Sequence, residues 1–237
     1  MGKIYTALGL MSGTSMDGVD ASIIRSDGHS KFHKSLDEYC EFDADLSKKL
    51  VNLRNQVLLE DDLINLTEEL KDLEREITIF HSKIANKISS KYRKNTGEDI
   101  DIIGFHGQTI FHNPKNKITK QLGDGNLLSQ LTKKNVVYDF RQNDIKNGGQ
   151  GAPLTPIFHN LLANLIYNEN KEKFFNLLNI GGISNLTLID DFNNNNISSK
   201  DVGPGCCLID NWIQTHTNKK YDFNGQISQR GIIHELI

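Results

Sequence analysis

Cysteine is scarce: Cys40, Cys206 and Cys207 are the three in 237 residues. An odd count with two of them adjacent argues against a disulfide framework. No other Cys or His stands at ligand spacing from Cys206-Cys207, which sets a thiolate metal site aside. That usage fits a reducing, bacterial cytoplasm. Excess positive charge is also missing, since 27 Lys and Arg against 30 Asp and Glu leave a net charge of −3. Nothing therefore favours electrostatic capture of nucleic acid. No apolar run is long enough to span a bilayer and no secretory leader opens the sequence, so no membrane partner is expected. Met1 to Thr6 fits the loose myristoylation pattern but reads better as the approach to a first strand. Without a secretion signal, the Asn-x-Ser/Thr matches at Asn65, Asn185 and Asn196 carry little meaning.

What is present is a globular chain with two related punctuation marks. Hydrophobic residues make up 37%, enough for a real core at this length. Leu8 to Ile24 runs apolar, turns through small residues and leaves in period-two alternation, which reads as strand, tight turn, strand. The turn holds Gly13, Thr14, Ser15, Met16, Asp17 and Gly18, followed by Val19 and Asp20. Glycines let backbone N–H groups approach an anion, and hydroxyls add donors, so a phosphate cradle and an ordinary hairpin turn are both open. Leu177 to Ile189 has the same grammar around Gly181, Gly182, Ser184 and Asn185. Two such units far apart suggest an internal duplication, with two hairpins facing one ligand.

Met11 to Asp20, reading Met-Ser-Gly-Thr-Ser-Met-Asp-Gly-Val-Asp, resembles the signature of 1,6-anhydro-N-acetylmuramic acid kinases. Further blocks agree in order: Gly104 to Thr109, Asp139-Phe140-Arg141, Gly148 to Leu154, Asn179 to Asn185, and Asp201 to Gly205. The resemblance covers nearly the whole chain. It implies an α/β, two-lobed fold of the actin, hexokinase and Hsp70 type (ribonuclease H-like), with nucleotide between lobes. Residues 1–145 would form the N-terminal lobe and 146–237 a partial C-terminal lobe. The chain is shorter than the usual member, so truncation is expected, with the later Gly-rich segment near the adenosine lacking a counterpart.

Along the chain, strands are expected over Ile4 to Leu10, Val19 to Ile24 and Leu36 to Phe42, then a helix over Leu46 to Leu58. Leu63, Leu66, Leu70, Leu73, Ile77, Phe80 and Ile84 alternate spacings of three and four, predicting one helix over 61–92 that Thr96-Gly97 ends. Packing on its own domain is favoured, and a homodimeric coiled coil is the alternative. Ile100 to Phe105 reads as a buried strand delivering His106 to Thr109 at its C-terminal end. Asn135 to Tyr138 is a strand presenting Asp139, and Leu154 to Tyr167 a helix with an apolar face of Ile157, Leu161, Leu162 and Leu165. The second hairpin spans Lys173 to Ile180 and Ile183 to Ile189, the asparagine run Asn193 to Asn196 reads as a surface loop, and Glu235 to Ile237 stops partway into an element.

A carboxylate at a strand end, partly desolvated, suits a general base, and Asp139 is the first candidate, with Asp144 its rival. Capping a turn or pairing with Arg141 would explain Asp139 without chemistry. The resemblance selects Asp139, the matching catalytic position. It implies hydrolytic opening of 1,6-anhydro-N-acetylmuramate with phosphorylation at O6 from ATP, in cell-wall recycling. Another sugar kinase, or an inactive remnant binding sugar or phosphate, is the alternative. Mg²⁺ would offset triphosphate charge, with Asp17 or Asp201 as its candidate ligands. His106, Gln108, Thr109 and Arg141 become the sugar-site candidates, Arg141 for the lactyl carboxylate or for holding Asp139.

Overall fold

The computed structural model describes residues 2–170, 175–191 and 196–232. Part of the expected loop at Asn193 to Asn196, the start of the second hairpin at Lys173, and the chain end at Glu235 to Ile237 lie outside them. The molecule divides into two compact units, Met1–Leu154 and Thr155–Ile237.

In the first unit, β1 (Tyr5–Ser12), β2 (Gly18–Ser26) and β3 (Phe32–Glu41) form an antiparallel meander. β4 (Ile102–Asn113) joins β1 in parallel, and β6 (Asn135–Tyr138) joins β4 in parallel. The order β3-β2-β1-β4-β6, with β2 alone reversed, is the ribonuclease H-like arrangement that the resemblance implied. Alternation drives it: Leu8 and Leu10 of β1 and Val19, Ala21 and Ile23 of β2 are buried, each large side chain worth roughly 1.5–3 kcal/mol.

The helices α1 (Ala44–Gln56) and α3 (Thr67–Thr96) supply the other half of that core through Leu46, Leu50, Leu53, Leu70, Leu73, Ile77, Ile84 and Ile88. The heptad-like stripe is thus spent inside its own unit. It is not one helix, however. Leu66 leaves helical geometry at φ −103°, ψ 28°, and a separate short α2 (Asp62–Asn65) precedes α3. The Asp62 carboxylate ties that turn backward, accepting from the Leu58 and Leu59 amides at 2.9 and 2.7 Å. Gly97 ends α3 in the left-handed region, as the Thr96-Gly97 pair led one to expect.

β4 runs well past Phe105. Its first half pairs with β1 and β6, and from Gln108 on it pairs antiparallel with β5 (Ile118–Leu122). His106 to Thr109 therefore lie within a strand, not on a loop beyond one. The hand-over falls at Gly107 (φ +72°), where a Cβ would stand 2.3 Å from the Leu122 carbonyl oxygen. α4 (Gly125–Thr132) and α5 (Phe140–Lys146) complete the unit. The unit ends later than residue 145 because the glycine cluster is tied back: Asp144 accepts from the amides of Gly149 and Gly151, and Arg141 donates to the Gly151 carbonyl.

The second unit is a three-stranded antiparallel sheet, β7 (Phe175–Ile180), β8 (Ile183–Asp191) and β9 (Asn196–Pro204), with α6 (Pro156–Asn170) and α7 (Cys207–His216). It repeats the β1–β3 meander followed by a helix. Ile157 is 81% exposed, so the expected face of α6 is wrong at that residue. The inward face centres on His159, whose Nδ1 lies 2.8 Å from Thr187 Oγ1, and on buried Ala163 one turn later; Ile157, two residues from His159, falls opposite. All three cysteines are free thiols. No described helix is long and apolar enough to cross a membrane.

Candidate active site

The turn between β1 and β2 is short, and its conformation is costly. Met16 adopts φ +55°, a region that β-carbon sterics disfavour, and its side chain is buried completely. Four residues hold it there. The Gln108 amide Nε2 of β4 donates to the Gly13 carbonyl at 2.9 Å. Ser47 Oγ of α1 donates to the Met16 carbonyl at 2.8 Å, and the Phe42 amide donates to the Asp17 carbonyl at 2.8 Å. From α3, buried His81 meets Ser12 Oγ at 3.0 Å through Nε2, while its Nδ1 lies 2.8 Å from the Ile77 carbonyl. A carbonyl only accepts, so Nδ1 carries the proton and Ser12 donates to Nε2. Burial pushes the His81 pKa down to about 4, so the imidazole is neutral at ordinary pH.

The rim of this turn carries charge of both signs. Asp17 accepts from Ser15 Oγ at 2.5 Å and from the Tyr39 hydroxyl. Burial, with the Asp17 and Glu41 charges, pushes the Tyr39 phenol up to about 12. Burial and the neighbouring Asp17 charge raise the Asp20 carboxyl. Gly18 is compulsory, because a Cβ there would stand 2.6 Å from the Tyr39 ring and the Cys40 carbonyl. Arg54 reaches in from α1, with Nη1 3.3 Å from the Thr14 carbonyl. Val19 lies wholly in the core.

A second group forms where β4, β6 and α5 meet. Arg141 Nε donates to His106 Nε2 at 2.9 Å, and Nη1 donates to the Gly151 carbonyl at 2.8 Å. His106 Nδ1, 2.7 Å from the Gly107 carbonyl, is the protonated nitrogen by the same logic. Burial, and then the Arg141 charge, lower the His106 pKa. Arg141 thus directs its guanidinium to His106 and Gly151 rather than to Asp139. Asp139 itself follows β6 with φ +64° and stands exposed, on an open hollow of about 380 Å³ lined by Val137, Tyr138, Phe140, Asn143 and Lys146. The expected partial desolvation is absent in this unit because the end of β6 is a surface strand. Thr109 faces Gln121, whose Nε2 lies 3.4 Å from Thr109 Oγ1.

In the second unit the Gly181-Gly182 turn is locked to the start of α7. The Gly181 carbonyl accepts from the Cys206 amide at 2.8 Å and the Gly182 carbonyl from the Gly205 amide at 2.9 Å. Ser184 is buried, and Asn185 Oδ1 is buried without a hydrogen-bond partner among the described residues. Asp201 is exposed on β9, paired in register with Asn185.

The family model for anhydro-N-acetylmuramic acid kinase matches residues 5–237. The chain belongs to the anhydro-N-acetylmuramic acid kinase family. A relative of that name from Pelagibacter ubique is 58% identical over the whole of this chain. Those from Agrobacterium fabrum and Rhizobium johnstonii are 41% and 40% identical over 98% of it. The chain spans 61% of the length of each of these relatives. Among solved structures, ethanolamine utilization protein EutJ from Carboxydothermus hydrogenoformans matches with TM-score 0.38 at 8% identity, over 91% of this chain and 58% of that one, too distant to speak for the fold.

Several candidate site residues escape a reading by spacing. Ser12 and His81 are 69 positions apart, Gly13 and Gln108 are 95 apart, and Thr14 and Arg54 are 40 apart. Tyr39 gave no local signal. His81 alone left one, since it falls four residues after Ile77 and four before Ala85 on the buried side of α3.

Proposed function

We propose that this member of the anhydro-N-acetylmuramic acid kinase family opens 1,6-anhydro-N-acetylmuramate hydrolytically and phosphorylates it at O6 from ATP, in cell-wall recycling. The match to the family model across residues 5–237 carries the reading.

Asp139 is the proposed base. Its exposed carboxylate takes a proton from water as the water oxygen attacks the anomeric carbon, and the C1–O6 bond breaks. O6 then attacks the γ-phosphorus, and the bond from that phosphorus to the bridging oxygen breaks to release ADP. A base-activated water on the face opposite the leaving oxygen is the inverting arrangement. A sugar seated in the Asp139 hollow would supply the desolvation that the carboxylate lacks alone. Arg141 has Nη2 left for a sugar carboxylate, since Nε and Nη1 are engaged. Because both ring nitrogens of His106 are engaged as well, His106 serves the sugar by holding that guanidinium.

The Gly13 to Gly18 turn is the proposed phosphate cradle of the first unit, with Arg54 at its edge, and Gly181 to Asn185 that of the second. The acidic rim of the first turn fits a hard cation: Asp17 and Asp20 repel each other there, and one carboxylate plus phosphate oxygens and water suffices for Mg²⁺. Asp17 would hold the ion, with Asp201 as the candidate on β9. Mg²⁺ supplies neutralisation of triphosphate charge.

The test is product analysis of purified chain with Mg-ATP and 1,6-anhydro-N-acetylmuramate. Stoichiometric ADP and N-acetylmuramate 6-phosphate are expected. ADP release at the same rate without the sugar would overturn the assignment.

A further inference from the structure

We propose that Gln108 is a positioning residue for the turn of residues 13–18 and not a ligand of the sugar. The proposal rests on reading that turn as the phosphate cradle. The alternation along β4 shows how Gln108 reaches it. Ile103 and Phe105 are buried at odd positions, whereas Gln108 and Ile110 are buried at even ones. The change of parity occurs at Gly107, where the left-handed backbone inserts an extra residue into the ladder between β4 and β1. In the regular ladder Gln108 would have pointed away from the core. The bulge turns it inward, opposite Ser12, its register partner on β1.

Once inside, the amide has a defined orientation. Gly13 O and Thr109 O lie 2.9 and 3.4 Å from Nε2, and both can only accept. The other end, Oε1, is buried without a hydrogen-bond partner among the described residues. An orphaned buried acceptor carries a desolvation penalty that an apolar side chain of equal length would avoid. The gain that offsets it is the bond to Gly13 O. That same carbonyl accepts the Met16 amide at 3.3 Å, the bond that closes the turn around the strained φ of Met16. With no exposed surface, Gln108 cannot meet a sugar unless β4 leaves the core.

The test uses the full chain with Gln108→Met and Gln108→Glu. Hydrogen exchange of the Met16 amide, read without ligand, is expected to speed up about tenfold in Gln108→Met, the worth of one hydrogen bond. The dissociation constant for Mg-ATP without sugar should weaken by about the same factor. Affinity for 1,6-anhydro-N-acetylmuramate without nucleotide should stay within about twofold. A protonated carboxylic acid still donates to Gly13 O. Gln108→Glu should therefore recover Mg-ATP affinity relative to wild type at the same pH as the pH is lowered, and Gln108→Met should not. Unchanged Met16 exchange together with weakened sugar binding would overturn the proposal. If Gln108→Met fails to fold, the pH response of Gln108→Glu decides: no recovery overturns it. Wild-type chain that binds no Mg-ATP would instead sink the phosphate reading, leaving Met16 exchange to decide the positioning role.

Discussion

Asp139, His81 and Tyr39 each do something that their neighbours in sequence do not explain. The strand end at Asp139 was legible, and its left-handed backbone is the structural counterpart of that abrupt stop, but only the resemblance selected Asp139 over Asp144 as the candidate base. Asp139→Asn keeps the shape and removes the proposed base, so on that mechanism turnover should fall about 10²- to 10⁴-fold with the melting temperature little changed; steady-state kinetics beside a thermal melt checks both halves. His81 was legible only as a packed side chain, because a helical histidine on a buried stripe announces packing and not a partner 69 residues away. Its pKa is lowered from 6.5 to about 4 by burial. Between those values the unfolded chain binds a proton that the folded chain refuses. Stability is therefore full above about pH 6.5 and falls as the pH drops toward about 4, by roughly 3 kcal/mol in all. Urea melts from pH 7 to 4 should show that slope, and His81→Gln should flatten it.

At the scale of elements, periodicity identified most of what forms, and long-range pairing decided where it stops. The stripe from Leu70 to Ile84 specified α3, but nothing in it marked the break at Leu66, where the backbone leaves helical geometry between α2 and α3. β4 was expected to end at Phe105 because His-Gly-Gln-Thr looks like a loop. It continues because β5 offers a second ladder, from Leu122 opposite Gln108 to Ile118 opposite Asn113, a partner that the pattern within β4 does not reveal. Gly107 and Gly205 are the places where this tertiary pairing leaves its mark on residue choice. A Cβ at Gly205 would lie 2.1 Å from the Gly181 carbonyl oxygen. Gly205→Ala must push α7 away from the β7–β8 turn, whereas Gly28→Ala meets nothing within 4 Å and pays only for its left-handed φ of 74°. Calorimetry should therefore rank Gly205→Ala as the more damaging, by about 1–3 kcal/mol.

For the whole molecule, the core is unevenly shared. The contiguous buried cluster lies entirely in the first unit, and of the buried apolar residues described, Ala163, Ile189 and Ile213 alone belong to the second. The marginal stability of a domain scales with the apolar surface it buries. Amides of β7, β8 and β9 should therefore exchange sooner than those of β1, β2 and β4, and denaturant should remove the second unit's signal first; a single cooperative transition with uniform protection would contradict this. The duplicated meander was readable in advance from two Gly/Ser turns between apolar strands. The anchoring of those turns was not, since it draws on α1, α3, β4 and α7.

On the proposed mechanism, water, activated by Asp139, and ATP are used in one reaction. The direct measurement is mass spectrometry of the sugar product formed in ¹⁸O-labelled water with Mg-ATP. One ¹⁸O on the anomeric oxygen of N-acetylmuramate 6-phosphate, abolished by Asp139→Asn, is the expected result. A phosphorylated product without label, or labelled product undiminished by Asp139→Asn, would contradict it.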